Sequence, residues 1–237
     1  MQSMTDWQDY QNPKTLKWYR IRQDDWLLWN RLGQDGGRGY QVQLQDWVRD
    51  YFLDRPHRRA LDVGANMGIT AIEYAEYFDT VEAFEPVPDV YQQLERVLRL
   101  NGVTNVVTHR VAISDRSGPA EIGYRASNSF ASHLRPGGGT AVDLRTVDSY
   151  EFDAVDFIKI DVEGLEPEVI AGARETIQRH RPLIQLEYKP KFGRRSGLSI
   201  QDSCEWLESQ GYGLADKRGT PWRETRLNDL FAQPVVI

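Results

Sequence analysis

The chain has 237 residues, is 40% hydrophobic and 27% charged, and carries a formal net charge of −6. Such a length suits one domain with a sizeable core, and the composition is that of a globular protein. The acidic balance argues against broad, sequence-independent nucleic-acid binding, and no apolar run reaches the ~18 residues of a membrane span.

No apolar leader follows a basic start. The lone cysteine, Cys204, cannot close an internal disulfide, which points to a reducing, cytoplasmic setting. The few histidines lie scattered and give no zinc pattern. Asp161 and Glu187 are carboxylates that a hard divalent cation can take, but two ligands are too few to assign a metal.

Residues 1–57 form an aromatic-rich segment set apart from the main domain, residues 58–237. Trp7, Trp18, Trp26, Trp29 and Trp47 all fall in the first part. Trp26–Trp29 reads as a short strand, Gly33–Gly39 as a glycine-rich turn and Val42–Phe52 as a helix. The segment either packs on the main sheet or closes over a ligand.

From residue 60 strands and helices alternate, which predicts a parallel sheet with helices on both faces. Ala60–Val63 is a buried strand, Gly64–Gly68 a turn, and Ile69, Ile72, Ala75 and Phe78 recur at helical spacing. Val81–Phe84 is a second strand ending at Glu85-Pro86. Asp89–Leu100 is a helix stopped by Asn101-Gly102.

Val106-Val107 opens a third strand, with Val111-Ala112-Ile113 at its end. Ala120–Tyr124 and Ala141–Val147 read as short strands around a polar loop, 125–140, that carries Asn128, Ser129, Ser132, His133, Arg135 and Gly137 to Gly139. A loop of that length inside a compact domain is usually functional. Phe157–Ile160 is a buried strand ending at Asp161-Val-Glu-Gly164, and Pro167 suits the first turn of the next helix. Pro182–Tyr188 is a strand and Ile200–Gln210 a helix. Tyr212–Ala215 and Pro234–Ile237 read as two final strands, antiparallel at one edge.

The unusual polar residues fall at the carboxyl ends of these strands, where open parallel sheets bind ligands. Gly64 and Gly68 let the backbone turn and let a ligand approach it, and Asn66 tolerates a left-handed conformation. Glu85 ends the second strand, where a carboxylate accepts both hydroxyls of a ribose. The spacing G-x-x-x-G is not the G-x-G-x-x-G that sets a helix against a pyrophosphate. Asp62 adds negative charge that suits a cationic ligand. Together these residues select S-adenosylmethionine over a nicotinamide dinucleotide, with Val111, Ala112 and Asp161 completing the set that can line it.

Asp62-Val-Gly-Ala-Asn-Met-Gly68, Phe84-Glu-Pro86, Val111-Ala-Ile-Ser-Asp115, Ile158-Lys-Ile-Asp-Val-Glu-Gly164 and Leu186-Glu-Tyr188 resemble the FkbM family of S-adenosylmethionine-dependent methyltransferases. The resemblance covers roughly residues 58–190. It implies a Rossmann-like class I methyltransferase fold, α/β with a mostly parallel seven-stranded sheet, and methylation of a hydroxyl. The sequence departs at Leu165, where the family often has a histidine before Glu166.

Removing a proton from an alcohol needs a base. Asp161 and Glu187, at neighbouring strand ends, are the first candidates and His133 the third. Each has a plainer role open to it. Asp161 can orient the methionine ammonium or cap the next helix, Glu187 can pair with Lys189 or an arginine, and His133 can be merely solvated. Glu163 can be a carboxylate stabilised by a helix N-terminus, and Lys159 a structural residue or a partner for a carboxylate.

The acceptor expected is a small molecule or a carbohydrate. Two other readings stay open. One is a nucleic-acid-modifying enzyme with Lys189, Lys191, Arg194 and Arg195 as a phosphate patch. The other is a nucleoside-binding module without catalysis.

Overall fold

A computed structural model describes residues 7–12, 16–22, 42–125, 128–134, 139–188 and 197–235. Two short strands, β1 (Trp7–Gln11) and β2 (Trp18–Arg22), pair antiparallel. Then come α1 (Val42–Tyr51), β3 (Arg59–Val63), α2 (Ile69–Tyr74), β4 (Thr80–Phe84), α3 (Pro88–Leu100) and β5 (Val106–His109). An inserted sheet follows: β6 (Ala112–Ile113), β7 (Gly118–Arg125), β8 (Asn128–Leu134) and β9 (Thr140–Arg145). The chain returns to the main sheet with β10 (Phe157–Ile160), α4 (Glu166–Ala171), α5 (Arg174–His180), β11 (Leu183–Glu187), α6 (Ile200–Ser209), β12 (Tyr212–Ala215) and β13 (Asp229–Pro234).

The main sheet has seven strands in the order β12-β13-β11-β10-β3-β4-β5. The five strands from β11 to β5 run parallel, and β13 is antiparallel to both of its neighbours. The connection reverses between β3 and β10, which makes the switch point at which such sheets bind ligands.

Parallel strands buried on both faces need apolar residues at nearly every position. Accordingly β10 is buried throughout, and β3 and β4 are buried at all but their first residues. The two faces collect separate cores. Ala60, Val81, Ala83, Phe157 and Phe231 join Leu44, Val48 and Phe52 of α1 and the apolar sides of α2 and α3. Leu61, Val63, Ile158, Ile160, Ile184 and Leu186 join α4, α5 and α6.

Three expectations need correction. Within the segment 125–140 expected as a loop, Asn128–Leu134 form the strand β8, which pairs antiparallel with β7. As the outer strand of its sheet β8 has no need of apolar alternation, so its polar composition concealed it. The last strand is β13, which ends at Pro234 instead of starting there. Its buried core is Leu230-Phe231-Ala232. The helix opened by Pro167 breaks into α4 and α5 at Gly172, where a Cβ would lie 2.0 Å from the Ser114 carbonyl oxygen. The strand β1 and its partner β2 were not foreseen. The expected strand Trp26–Trp29 and turn Gly33–Gly39 lie outside the described residues.

Candidate functional site

The turn after β3 is stitched to the end of β4. Gly64 and Ala65 donate backbone N–H groups to the Phe84 carbonyl at 3.1 and 2.9 Å. Gly64 has φ +83°, and a Cβ there would lie 2.1 Å from the Asp161 carbonyl oxygen. Its glycine character is therefore demanded by the loop after β10. Gly68 also has φ +83° and precedes α2, with room for a Cβ denied by Leu94 of α3 at 2.5 Å. Asn66, at φ 52°, turns its side chain to accept the Met67 N–H at 2.8 Å.

Glu85 sits where β4 ends. Its Oε1 accepts the Val87 N–H at 2.9 Å and its Oε2 accepts the Asn66 N–H at 3.1 Å. Each carboxylate oxygen has two acceptor positions, so each keeps one for a further donor. Burial pushes this carboxyl up to about 7, opposed by the two backbone donors. A pair of hydroxyl donors would relieve that cost.

Asp62 is fully buried. Its Oδ2 accepts the Thr70 hydroxyl at 2.7 Å and its Oδ1 faces the Lys159 ammonium at 3.3 Å. The same ammonium lies 3.5 Å from Asp161 Oδ2. Asp161 itself is tied to β3 by its N–H, which donates to Val63 at 3.1 Å.

The following loop carries Glu163 at φ 55°, a left-handed conformation rare outside glycine. Glu166 holds that loop, accepting the N–H groups of Val162 at 3.2 Å and Gly164 at 3.0 Å. Burial pushes its carboxyl up to about 7 as well. Glu187 ends β11, and carboxylate oxygens of Asp161, Glu163 and Glu187 all lie within 4.8 Å of one another. The sheet thus brings three acidic side chains from two strand ends beside the turn that carries Gly64.

A family model described as the methyltransferase FkbM domain matches residues 62–214. The chain belongs to the FkbM methyltransferase family. A curated relative, the 2-O-methyltransferase NoeI of Sinorhizobium fredii (strain NBRC 101917 / NGR234), is 27% identical over 182 residues, covering 66% of this chain and 74% of the relative. The crystal structure of a methyltransferase FkbM from Methylobacillus flagellatus KT superimposes with a TM-score of 0.54 at 21% identity, covering 88% of this chain. This chain spans only 57% of that structure's length.

On this FkbM-family fold Gly64, Asn66, Gly68, Glu85 and Asp161 border one end of the central strands, and Asp62 lies beneath them in the core. Val111 is half-buried just before β6, and Ala112 opens that strand. His133 lies in β8, its backbone in register with Gly123; its side chain is outside the described structure, as are Lys189, Lys191, Arg194 and Arg195. Sequence reasoning passed over Glu166. Its signal was a carboxylate at the start of a helix, two residues after the Glu163-Gly164 turn, placed to accept loose N–H groups. No helix among the described residues is long and apolar enough to cross a membrane.

Proposed function

We propose that this FkbM-family methyltransferase uses S-adenosylmethionine to methylate a hydroxyl on a small molecule or carbohydrate. The observation that carries the reading is Glu85: a buried carboxylate at the switch point whose two oxygens each hold one backbone donor and keep one open acceptor position. A ribose presents two hydroxyl donors with that spacing. The name of the S. fredii relative, a 2-O-methyltransferase, supports an oxygen acceptor.

The chain's own residues divide the work as follows. Glu85 holds the ribose, and the loop 64–68 closes beneath the nucleoside without side chains at its two glycines. Asp161 stands beside the cationic end of the cofactor or against the acceptor hydroxyl, with Glu187 next to it. When bound, S-adenosylmethionine supplies an electrophilic methyl on a good leaving group. Alignment of the acceptor oxygen then supplies much of the rate, on the order of 7 kcal/mol or more in the best cases. A carboxylate of Asp161 or Glu187 takes the hydroxyl proton. The three acidic groups are read as proton acceptors and as partners of a cation on the ligand, and no metal is assigned to them.

Calorimetry with S-adenosylmethionine, its demethylated product and NAD tests the cofactor. Binding of the first two in the micromolar range, about −8 kcal/mol, is expected, and affinity for NAD alone would sink the reading. Transfer of labelled methyl into pools of sugars, hydroxylated metabolites and oligonucleotides tests the acceptor. Label in the oligonucleotides alone would replace the carbohydrate reading with the nucleic-acid one.

A further inference from the structure

A row of side chains crosses the centre of the main sheet beneath α2. In register from β4 to β13 it reads Ala83, Asp62, Lys159, Gln185 and Phe231. Three of the five are polar and all are buried. A lysine this deep is expensive, because its ammonium gives up hydration that even a good ion pair barely restores. Packing alone would be served by a methionine. Lys159 is therefore best explained by where its charge lies.

Its ammonium stands between two carboxylates that belong to different parts of the site. One is Asp62, wholly inside the fold and held by Thr70; the other is Asp161, at the strand end. Polar groups nearby include the Tyr74 phenol of α2, bonded to Gln185 at 3.5 Å, and Glu163 and Glu187 bordering Asp161. Burial first, then Tyr77 and the acids Asp62, Asp161 and Asp229, push the Tyr74 phenol well above its ordinary range. It stays neutral and supplies no counter-charge. The cation that lies between the two acids is Lys159.

We propose that Lys159 is a positioning residue that keeps Asp62 and Asp161 ionised together and aimed at the binding end of β3 and β10. The inference rests on the cofactor reading above and deepens it. Without Lys159, the buried Asp62 and the partly exposed Asp161 lose the cation that stands between them. One of them then holds a proton near neutral pH, by desolvation and like-charge repulsion. That proton must leave before a cation can bind.

The test needs no acceptor. S-adenosylmethionine is titrated into wild-type protein, Lys159→Met, Lys159→Gln and Lys159→Arg in buffers of different ionisation enthalpy, which counts protons released on binding. Glu85 titrates in every variant, so the difference from wild type isolates the trio. Lys159→Met and Lys159→Gln should bind roughly ten-fold more weakly and release up to about one proton more per ligand than wild type near neutral pH. Lys159→Arg, which restores the charge, should release no excess.

A folded Lys159→Met that binds with wild-type affinity and proton count overturns the proposal. So does loss of the fold in both neutral variants, which would make Lys159 a residue of stability. Failure of the wild-type protein to bind S-adenosylmethionine would instead remove the cofactor reading on which the proposal stands.

Discussion

Burial pushes the Glu85 carboxyl up to about 7, and the Glu166 carboxyl likewise. A carboxyl whose folded-state pKa lies above its unfolded value holds its proton more tightly in the fold. Its favourable contribution is complete below about pH 4.5 and is lost as pH rises to about 7. Ionised Glu85 thus costs on the order of 3 kcal/mol at neutral pH in the free protein. Glu85→Gln should flatten the dependence of unfolding free energy on pH across that window, as denaturant melts at about pH 5 and about pH 8 would read.

The same residue ties affinity to pH in the opposite direction. An ionised carboxylate is the better acceptor for ribose hydroxyls, so S-adenosylmethionine should bind more tightly as pH rises through about 7. Glu85→Ala should lose roughly 1.5–3 kcal/mol of affinity, ten-fold or more, with the fold intact. An unchanged dissociation constant would place the ribose elsewhere.

For the proton acceptors, Glu187→Gln should keep cofactor affinity within a few-fold and lower turnover by ~10²–10⁴, whereas Asp161→Asn, which removes a charge beside Lys159, should weaken cofactor binding as well. If Asp161→Asn turns over normally once cofactor is saturating, Asp161 serves the cofactor and Glu187 becomes the leading base. Normal turnover in both variants would leave alignment as the source of the rate.

At the scale of elements, the turn from Gly64 to Gly68 is where two loops press together. A side chain on Gly64 meets the Asp161 carbonyl before it meets any ligand, at a φ that branched residues avoid. Gly64→Val should lower the thermal midpoint measurably, with strain of at least 1–3 kcal/mol from the backbone alone, at about that scale. Saturating cofactor should fail to restore it. A wild-type midpoint would mean that β3 and β10 end further apart than described.

The strands bearing this site were legible because each is a short apolar run bounded by turn residues: Ala60–Val63, Val81–Phe84 and Phe157–Ile160 coincide with β3, β4 and β10 to within a residue. Glu85 and Asp161 followed from those ends. The inserted sheet was only half visible. Its strands β7 and β9 alternate, while β8 is an outer strand whose partners lie on one side only. The need for glycine at 172, where the helix breaks, comes from the Ser114 carbonyl, which no local pattern encodes. The partners of Lys159 were equally hidden. A lysine in an apolar strand announces a counter-charge, but which carboxylates supply it depends on register between β3 and β10.

At the scale of the whole molecule, the aromatic segment before β3 divides into two kinds of attachment. The pair β1–β2 is held by polar contacts together with the buried Tyr19 ring, which joins the core shared with α2 and α3. Arg96 meets Asp9 at 2.8 Å, Lys17 meets Glu73 and Glu76 at 2.6 and 2.9 Å, and the Asn101 side chain bonds the Trp18 backbone twice. The more exposed pairs, Arg96–Asp9 and Lys17–Glu76, are of a sort that contributes about 0–1 kcal/mol each, while Lys17–Glu73 is mostly buried.

The helix α1 is different. Leu44, Val48 and Phe52 are buried in the core shared with α2 and α3. The Phe52 ring meets Phe78 at 4.9 Å and Phe157 at 6.1 Å, and Trp47 lies 3.9 Å from Phe231, ring centre to ring centre. This helix covers the face of the sheet that carries Phe157 and Phe231. Removing one such aromatic costs about 3–5 kcal/mol, a large part of the 5–15 kcal/mol that holds a typical domain together.

Two truncations should therefore part company. A chain starting at residue 23 loses the Asp9 and Lys17 ion pairs and the Tyr19 ring but keeps α1, and should stay folded with a lower melting point and retained cofactor binding. A chain starting at residue 58 uncovers the Phe78–Phe157–Phe231 surface and should be insoluble or molten, with near-ultraviolet circular dichroism lost. If residues 58–237 alone melt cooperatively and bind S-adenosylmethionine, the main domain is self-sufficient and α1 is an accessory layer.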